Sequence, residues 1–160
     1  MRVVLQRVSR AQVSINGRIT GKINAGFMAL VGFAENDTEV DVEYLVEKCI
    51  NLRVFSDADG KMNLSIKDNG GAFLSISQFT LYADTRKGRR PSFIHAAPPE
   101  KGEQLYHYFN LLLRNAGFTV ETGIFGAMMD VELVNNGPVT IVLDSIDRQR
   151  SRRDKEIDNC

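Results

Sequence analysis

The chain has 160 residues, of which 43% are hydrophobic and 25% are charged, a composition typical of one globular domain with an apolar core. Its 20 basic side chains balance 20 acidic ones, so a polyanion would have to be held by a local patch rather than by an overall field. The N-terminal segment is interrupted by polar residues, which argues against a signal peptide, and the apolar runs are too short to span a membrane. The two cysteines are isolated, which argues against a disulfide framework. We therefore expect a cytoplasmic protein with no membrane contact.

The first part of the chain is predicted to be β-sheet. Alternating apolar residues predict strands over residues 2–9 and 12–15. Asn16-Gly17 is a two-residue turn signal that leads into a strand over residues 18–23. The continuous apolar content of residues 26–34 predicts a buried strand after this hairpin.

Two helices are predicted from helical spacing of apolar residues. Thr38 is the expected N-cap of a helix that continues through Asn51, with an apolar face made by Val42, Leu45, Val46, Cys49 and Ile50. Pro98-Pro99 is expected to open the second helix and Gly117 to end it, with a buried stripe made by Leu105, Phe109 and Leu112.

The remaining apolar runs predict strands over residues 52–56, 72–81, 119–122, 130–134 and 139–143. Two helices among about eight strands indicate a mixed α+β (α/β) single domain with a curved, barrel-like mixed sheet. We expect this domain to span residues 1–145. Residues 146–160 form a charged tail that we expect to be flexible, with a role in holding RNA as the alternative.

Gly137-Pro138 stands between the last two predicted strands. Proline cannot donate a ladder hydrogen bond, so the sheet should open or end at this step. Taken alone, the segment is most simply a hairpin turn. An X-Pro bond is also the one place where a cis peptide is inexpensive.

Familiar catalytic and cofactor motifs are absent from the sequence. The two histidines, His95 and His107, have no partner at metal-ligand or catalytic-triad spacing, and no phosphate-binding glycine loop follows a strand. We therefore expect no metal and no cofactor. The remaining candidates are the polar residues Ser75, Ser77, Gln78 and Thr80 within an apolar strand, which need hydrogen-bond partners inside the protein or in a substrate.

A basic run follows that strand. Four cations, Arg86, Lys87, Arg89 and Arg90, surround the flexible Gly88 and suit phosphate contacts with RNA. An ordinary charged surface loop is the alternative. The position of the run directly after the polar strand favours the RNA contact.

Two separated segments, SQFTL at 77–81 and NNGPVT at 135–140, resemble the two signature motifs of the D-aminoacyl-tRNA deacylases. QRV at 6–8, FSDADGKMN at 55–63 and GRRPSF at 88–93 support the match, which leaves only the charged tail uncovered. The resemblance implies hydrolysis of the ester between a D-amino acid and tRNA, which is proofreading of translation. It also implies rejection of L-aminoacyl-tRNA and hydrolysis of glycyl-tRNA, since glycine has no side chain to reject.

The resemblance implies a homodimer whose active sites lie at the subunit interface. Gly137 and Pro138 of one subunit, joined by a cis bond, would enter the other subunit's site and reject L-side chains through their carbonyl oxygens. Arg7 would brace the partner's loop through bonds to carbonyls. The apolar side chains at the ends of the stretch 125–129, Phe125 and Met129, would help to form the adenosine pocket, with core packing as the alternative.

Catalysis is assigned by the resemblance to Ser77, Gln78, Phe79 and Thr80, which would position the carbonyl and stabilise the oxyanion. Thr80 could attack covalently, but the sequence supplies no convincing base beside it. Water assisted by the neighbouring ribose hydroxyl of the tRNA is the favoured attacking group. The competing interpretation of the whole chain is a nucleic-acid-binding module with little or no turnover, which uses the basic run and the tail's Arg148, Arg150, Arg152 and Arg153.

Overall fold

The computed structural model describes residues 1–149, so Arg150, Arg152, Arg153 and most of the predicted tail lie outside the described residues. The strands are β1 (Arg2–Ile15), β2 (Arg18–Ile23), β3 (Gly26–Gly32), β4 (Phe55–Ser56), β5 (Met62–Leu64), β6 (Ala72–Ser77), β7 (Val120–Thr122) and β8 (Asp130–Asp144). The helices are α1 (Glu39–Asn51), α2 (Ile66–Asn69) and α3 (Pro99–Asn115), and 3-10 turns follow β6 (Phe79–Tyr82) and β8 (Ser145–Arg148).

A six-stranded sheet is organised around β1, which pairs antiparallel with β2, β3 and β8. From β3 the sheet continues in parallel through β6 to β7. It then curls until β2 lies against β7, where a Cβ on Gly21 would stand 2.8 Å from the carbonyl oxygen of Thr122. The predicted mixed α+β domain with a barrel-like sheet is therefore confirmed.

Apolar side chains fill both sides of this curved sheet. Phe27 and Phe73 lie on one side beneath α1 and α3, with Leu45 and Phe109 supplied by the helices. The other side, inside the curl, is filled by a second cluster that includes Val13, Met28, Leu74 and Ile76. The alternation of Phe27 with Met28 in β3 follows the two-residue period of a strand buried on both faces, as predicted.

The two predicted helices are confirmed, and their buried faces are close to those expected. Thr38 precedes α1 and its N–H donates to the Asp41 carboxylate at 3.0 Å. In α3, Leu113 rather than Leu112 is fully buried. The short elements β5 and α2 were not predicted. In the described part of the chain, no helix combines the length and apolar character that a membrane crossing requires.

The predicted strand over residues 52–56 is reduced to β4, and at two other places a predicted break is only a register shift within one continuous strand. β1 is continuous over residues 2–15, with a register shift between Val8 and Arg10 where two strands were expected. β8 likewise runs unbroken through Gly137-Pro138. Both halves of β8 pair with β1 in the same direction, so Gly137-Pro138 is a bulge and not a hairpin turn.

Candidate active site

The SQFT segment begins where β6 ends. Ser77 is the last residue of the strand, opposite Val31 of β3, and the N–H of Gln78 still donates to the Val31 carbonyl at 2.8 Å. The chain then turns into the 3-10 segment Phe79–Tyr82. The predicted strand over residues 72–81 is therefore wrong beyond Ser77, because β3 ends at Gly32 and offers no further ladder partner.

Backbone groups hold this turn tightly against the sheet. A Cβ on Gly32 would lie 2.7 Å from the Gln78 carbonyl oxygen, so only glycine permits the approach. The N–H of Leu81 donates to the same carbonyl at 3.3 Å. From the other side, Arg2 Nη1 donates to the Leu81 carbonyl at 2.9 Å, and its guanidinium lies 4.7 Å from the centre of the Tyr82 ring.

The side chains of the turn are left accessible. Phe79 is 56% exposed and packs edge-on against Phe93, with ring centres 5.0 Å apart. Gln78 Nε2 donates to Thr80 Oγ1 at 2.5 Å. The N–H groups of Phe79 and Thr80 open the 3-10 turn, where the first donors have no partner within the turn. The turn therefore offers two N–H groups and a bonded amide–hydroxyl pair at an exposed strand end.

The Gly137-Pro138 bulge lies on β8. Gln6 of β1 pairs with Thr140 and Val8 pairs with Asn135, so residues 136–139 stand opposite the single residue Arg7. The Gly137-Pro138 peptide bond is cis, and both residues are exposed. Surplus residues on one strand must leave the ladder, and here they project from the sheet.

Side chains hold the bulge in place. Arg7 Nε donates to the Asn136 carbonyl at 2.9 Å, and Arg7 Nη1 donates to the Val54 carbonyl. Asn135 bonds both to the N–H of Val139, at 2.8 Å, and to its carbonyl, at 3.3 Å. The carbonyls that Arg7 binds in this structure belong to its own chain, and a contact with a partner's loop stays a prediction.

The two motifs do not meet within one chain. Ser77 of β6 pairs with Val31 of β3, which in turn pairs with Val3 of β1. Val3 pairs with Leu143 of β8, so three strand spacings separate β6 from β8. Pro138 lies a further five positions along β8 from Leu143. At about 4.8 Å per strand spacing and about 3.3 Å per residue, the separation measured along the sheet is roughly 20 Å.

Phe125 and Met129 have different surroundings. The Phe125 ring lies 6.1 Å from that of Tyr106, whose hydroxyl donates to the Ser75 carbonyl at 2.7 Å, so Phe125 is near the end of β6. Met129 packs with the cluster inside the curl of the sheet. Both side chains are half-buried against a core cluster, Phe125 on the side of the helices and Met129 inside the curl of the sheet.

The basic run lies in a loop closed by a pair of backbone hydrogen bonds between Asp84 and Ser92, at 2.7 and 2.9 Å. Arg86 binds the Asp84 carboxylate with two nitrogens, at 2.9 and 2.7 Å. These hydrogen bonds hold the pKa of Asp84 well below its ordinary value. The three other cations, Lys87, Arg89 and Arg90, are exposed. The loop therefore presents less free positive charge than its sequence suggests.

Several residues that shape the site were not predicted from the sequence. They are Arg2, Gly32 and Val54, which position the turn or the bulge, and Tyr106, which ties α3 to β6. Each acts on a residue distant in the chain. A local motif carries no signal for such a contact.

Comparison with known proteins identifies the family of this chain. A family model described as D-Tyr-tRNA(Tyr) deacylase matches residues 4–144. The D-aminoacyl-tRNA deacylase of Bacillus velezensis is 56% identical over 145 residues, covering 91% of this chain and 99% of its own. That of Thermus aquaticus is 55% identical over 152 residues, covering 95% and 100%.

Two solved structures share the fold. The "c-Myc DNA Unwinding Element Binding Protein" matches with a TM-score of 0.85 at 40% identity, covering 90% of this chain and 98% of that one. A "probable eukaryotic D-amino acid tRNA deacylase" matches with a TM-score of 0.76 at 18% identity, covering 89% and 97%, a likeness of fold alone. The resemblance found in the sequence is confirmed: this chain belongs to the D-Tyr-tRNA(Tyr) deacylase family.

Proposed function

We propose that this chain hydrolyses the ester bond of D-aminoacyl-tRNA and releases the free D-amino acid and tRNA. The observation that carries the proposal is the SQFT turn, which offers free N–H groups at an exposed strand end in a member of the deacylase family. Such an activity belongs in the cytoplasm, where charged tRNA is used. It needs no metal or cofactor.

In this proposal the ester carbonyl lies against the turn. The N–H groups of Phe79 and Thr80 stabilise the oxyanion, and Ser77 and Gln78 position the carbonyl. The oxygen of a water molecule bonds to the carbonyl carbon, and the bond to the ribose oxygen breaks. The water proton passes to that ribose oxygen, with help from the neighbouring ribose hydroxyl.

Thr80 is not the nucleophile in this scheme. The group bonded to its hydroxyl oxygen is the Gln78 side-chain amide, which donates at 2.5 Å and does not remove a proton. Thr80→Ala should therefore lower kcat by no more than about tenfold, which is the value of one hydrogen bond of about 1.4 kcal/mol. Near-complete loss of activity, or a Thr80-acyl intermediate in mass spectra, would instead favour covalent catalysis.

Chirality is selected by the Gly137-Pro138 bulge of a second subunit. A D-side chain projects away from the bulge, whereas an L-side chain is driven into backbone that Arg7 and Asn135 hold rigid. Selection by backbone also predicts that glycyl-tRNA is hydrolysed.

The separation of the two motifs supports a homodimer. Motifs roughly 20 Å apart along the sheet of one chain would not both contact the same aminoacyl group, so a second copy would supply one of them. β8 supports this arrangement, because within residues 1–149 it pairs with β1 alone and it exposes Val142 by 68%.

The decisive experiment compares the release of tyrosine from D-tyrosyl-tRNA and from L-tyrosyl-tRNA by the purified protein. Release from the D-ester alone is expected, and equal rates or no release would overturn the proposal. Salt-sensitive RNA binding without turnover would favour the binding module instead. The deacylase is preferred because the curated relatives above 50% identity are named as deacylases.

A further inference from the structure

The hydroxyl group of Tyr106 is bonded close to the start of the SQFT turn. Tyr106 lies on α3, and its hydroxyl donates to the Ser75 carbonyl at 2.7 Å, two residues before Ser77. Tyr106 is 3% exposed and Ser75 is fully buried, so water does not compete for this bond. The proposed mechanism gives Tyr106 no role.

The bond lies where β6 loses its neighbour on one edge. On one side, β6 stays paired with β3 as far as Ser77, opposite Val31. On the other side, the pairing with β7 stops at Ser75, opposite Thr122. The strand ladder therefore holds Ser77 on one edge only, and the Tyr106 hydroxyl is bonded at the last paired residue of the other edge.

Tyr106 is itself held firmly. Its ring packs in the apolar cluster on the helical side of the sheet, with the centre of the Phe125 ring 6.1 Å away. The helix is tied to α1 by Tyr108, whose hydroxyl donates to Glu43 Oε1 at 2.8 Å. Burial raises the pKa of Tyr106, so its hydroxyl keeps the proton and remains a donor at neutral pH. A packed helix thus fixes the position of the Ser75 carbonyl.

Displacement of this strand end would displace the proposed oxyanion donors. The first of them, the N–H of Phe79, follows Ser75 after only three residues. Donors aimed at the oxyanion stabilise the transition state more than they stabilise the bound ester, and their effect depends on geometry within about 1 Å. A looser strand end should therefore slow hydrolysis without weakening the binding of tRNA.

We propose that Tyr106 is a positioning residue for hydrolysis: its hydroxyl fixes the end of β6 and so aims the N–H groups of Phe79 and Thr80 at the ester carbonyl. This role rests on the proposed deacylase function. It differs from the role of the Gly137-Pro138 bulge, which selects between D- and L-substrates. Loss of the hydroxyl should therefore slow the hydrolysis of every accepted ester by the same factor and leave the selection unchanged.

The first test is Tyr106→Phe, which removes the hydroxyl and keeps the ring. It should lower kcat for D-tyrosyl-tRNA about fivefold with KM unchanged, which is the value of about one hydrogen bond in the transition state. The same loss is expected for glycyl-tRNA, and hydrolysis of L-tyrosyl-tRNA should not rise. The rates are measured well below the unfolding temperature of each protein.

Tyr108→Phe is the matched control. It makes the same substitution on the same helix and removes a bond of nearly the same length, 2.8 Å to Glu43, that does not involve β6. Its kcat and KM should equal those of the wild type. Equal losses of kcat in both variants would show that Tyr106 acts only by stabilising α3, and would overturn the inference. A rise in KM with kcat unchanged for Tyr106→Phe would place its effect in the adenosine pocket, through Phe125, and would overturn it as well.

The second test measures amide hydrogen exchange and needs no substrate. The N–H of Gln78 donates to the Val31 carbonyl at 2.8 Å, just beyond the last paired residue of β6. It should exchange about fivefold faster in Tyr106→Phe and at the wild-type rate in Tyr108→Phe. Unchanged exchange of Gln78 in Tyr106→Phe would overturn the inference. Failure of the wild type to release tyrosine from D-tyrosyl-tRNA, with the exchange as expected, would instead refute the proposed function.

Discussion

The SQFT turn and the Gly-Pro bulge are both interruptions of a β-strand, but they are held in opposite ways. Backbone groups hold the SQFT turn, through Gln78 on Val31 and the close approach at Gly32, and its side chains are exposed. Side chains hold the bulge, through Arg7 and Asn135, and its backbone is exposed. The first arrangement presents side chains and N–H groups, and the second presents carbonyls.

This difference matches the roles proposed for the two segments, in which the turn carries out hydrolysis and the bulge selects the D-substrate. A turn fixed through its backbone can lose one side chain and keep its shape. A bulge fixed by side chains loses its shape with them. Substitution of a residue that supports the bulge should therefore lower activity more than substitution of a residue that supports the turn.

The largest effect is expected at Gly137. Its φ of +136° is rarely adopted by L-residues, and a Cβ would stand 2.8 Å from Val139 Cγ2 and 3.0 Å from Arg7 Nη2. Gly137→Ala should displace the bulge and lower kcat/KM for D-tyrosyl-tRNA by about 10², the usual cost of a misplacement of about 1 Å.

Gly70 is the matched control for Gly137. It also has positive φ, +64°, but a Cβ there meets nothing within 4 Å. Gly70→Ala should lower the free energy of unfolding by about 1–2 kcal/mol and leave kcat/KM unchanged. Thermal unfolding and hydrolysis rates distinguish the two variants, and equal activity losses would contradict a special role for the bulge.

A smaller loss is expected from Arg7→Lys. The guanidinium reaches the carbonyls of Val54 and Asn136 together, whereas an ammonium is a single point donor. The loss of one charged hydrogen bond, worth about 1.5–3 kcal/mol, should loosen the bulge and lower kcat/KM for the D-ester about tenfold or more. Hydrolysis of the L-ester should rise at the same time. Arg10→Lys, exposed on the same strand, should change neither rate.

The two interruptions also differ in how far the sequence predicts them. The periodicity of apolar residues and the capping residues predict α1, α3 and the barrel-like sheet, because these signals are local in the sequence. The alternation of residues 72–81 predicted too long a strand, since the ladder stops where β3 ends at Gly32. The sequence cannot show where a partner strand ends.

Prediction of the bulge from the sequence requires information about residues that are still farther apart in the chain. Gly137-Pro138 is visible as a break, but a turn and a bulge differ only in whether both flanking segments pair with the same strand. Arg7 and Asn136 are 129 positions apart, and Arg7 was assigned a bracing role through the family resemblance alone. The pairing of Arg86 with Asp84, two residues away, was within reach of local reasoning and was missed.

Arg2→Lys tests the turn. The substitution removes the bond to the Leu81 carbonyl and the contact with Tyr82 but leaves the backbone bonds of Gln78 in place. One such bond is worth about 1 kcal/mol, so kcat should fall by only about fivefold, with KM unchanged. A loss as large as that of Gly137→Ala would contradict the idea that backbone groups hold this turn.

The smallest effect is expected in the basic loop, where Asp84 neutralises Arg86. Asp84→Asn frees one cation while the backbone bonds to Ser92 keep the loop closed, so tRNA affinity should rise a few-fold and its dependence on log salt should steepen by about 0.7–0.9. Removing both charges of the pair, with Asp84→Asn and Arg86→Gln together, should leave affinity near that of the wild type, whereas Arg89→Gln should weaken it. If the double variant weakens binding as much as Arg89→Gln does, Arg86 exchanges its carboxylate for phosphate on binding, and all four cations contact the RNA.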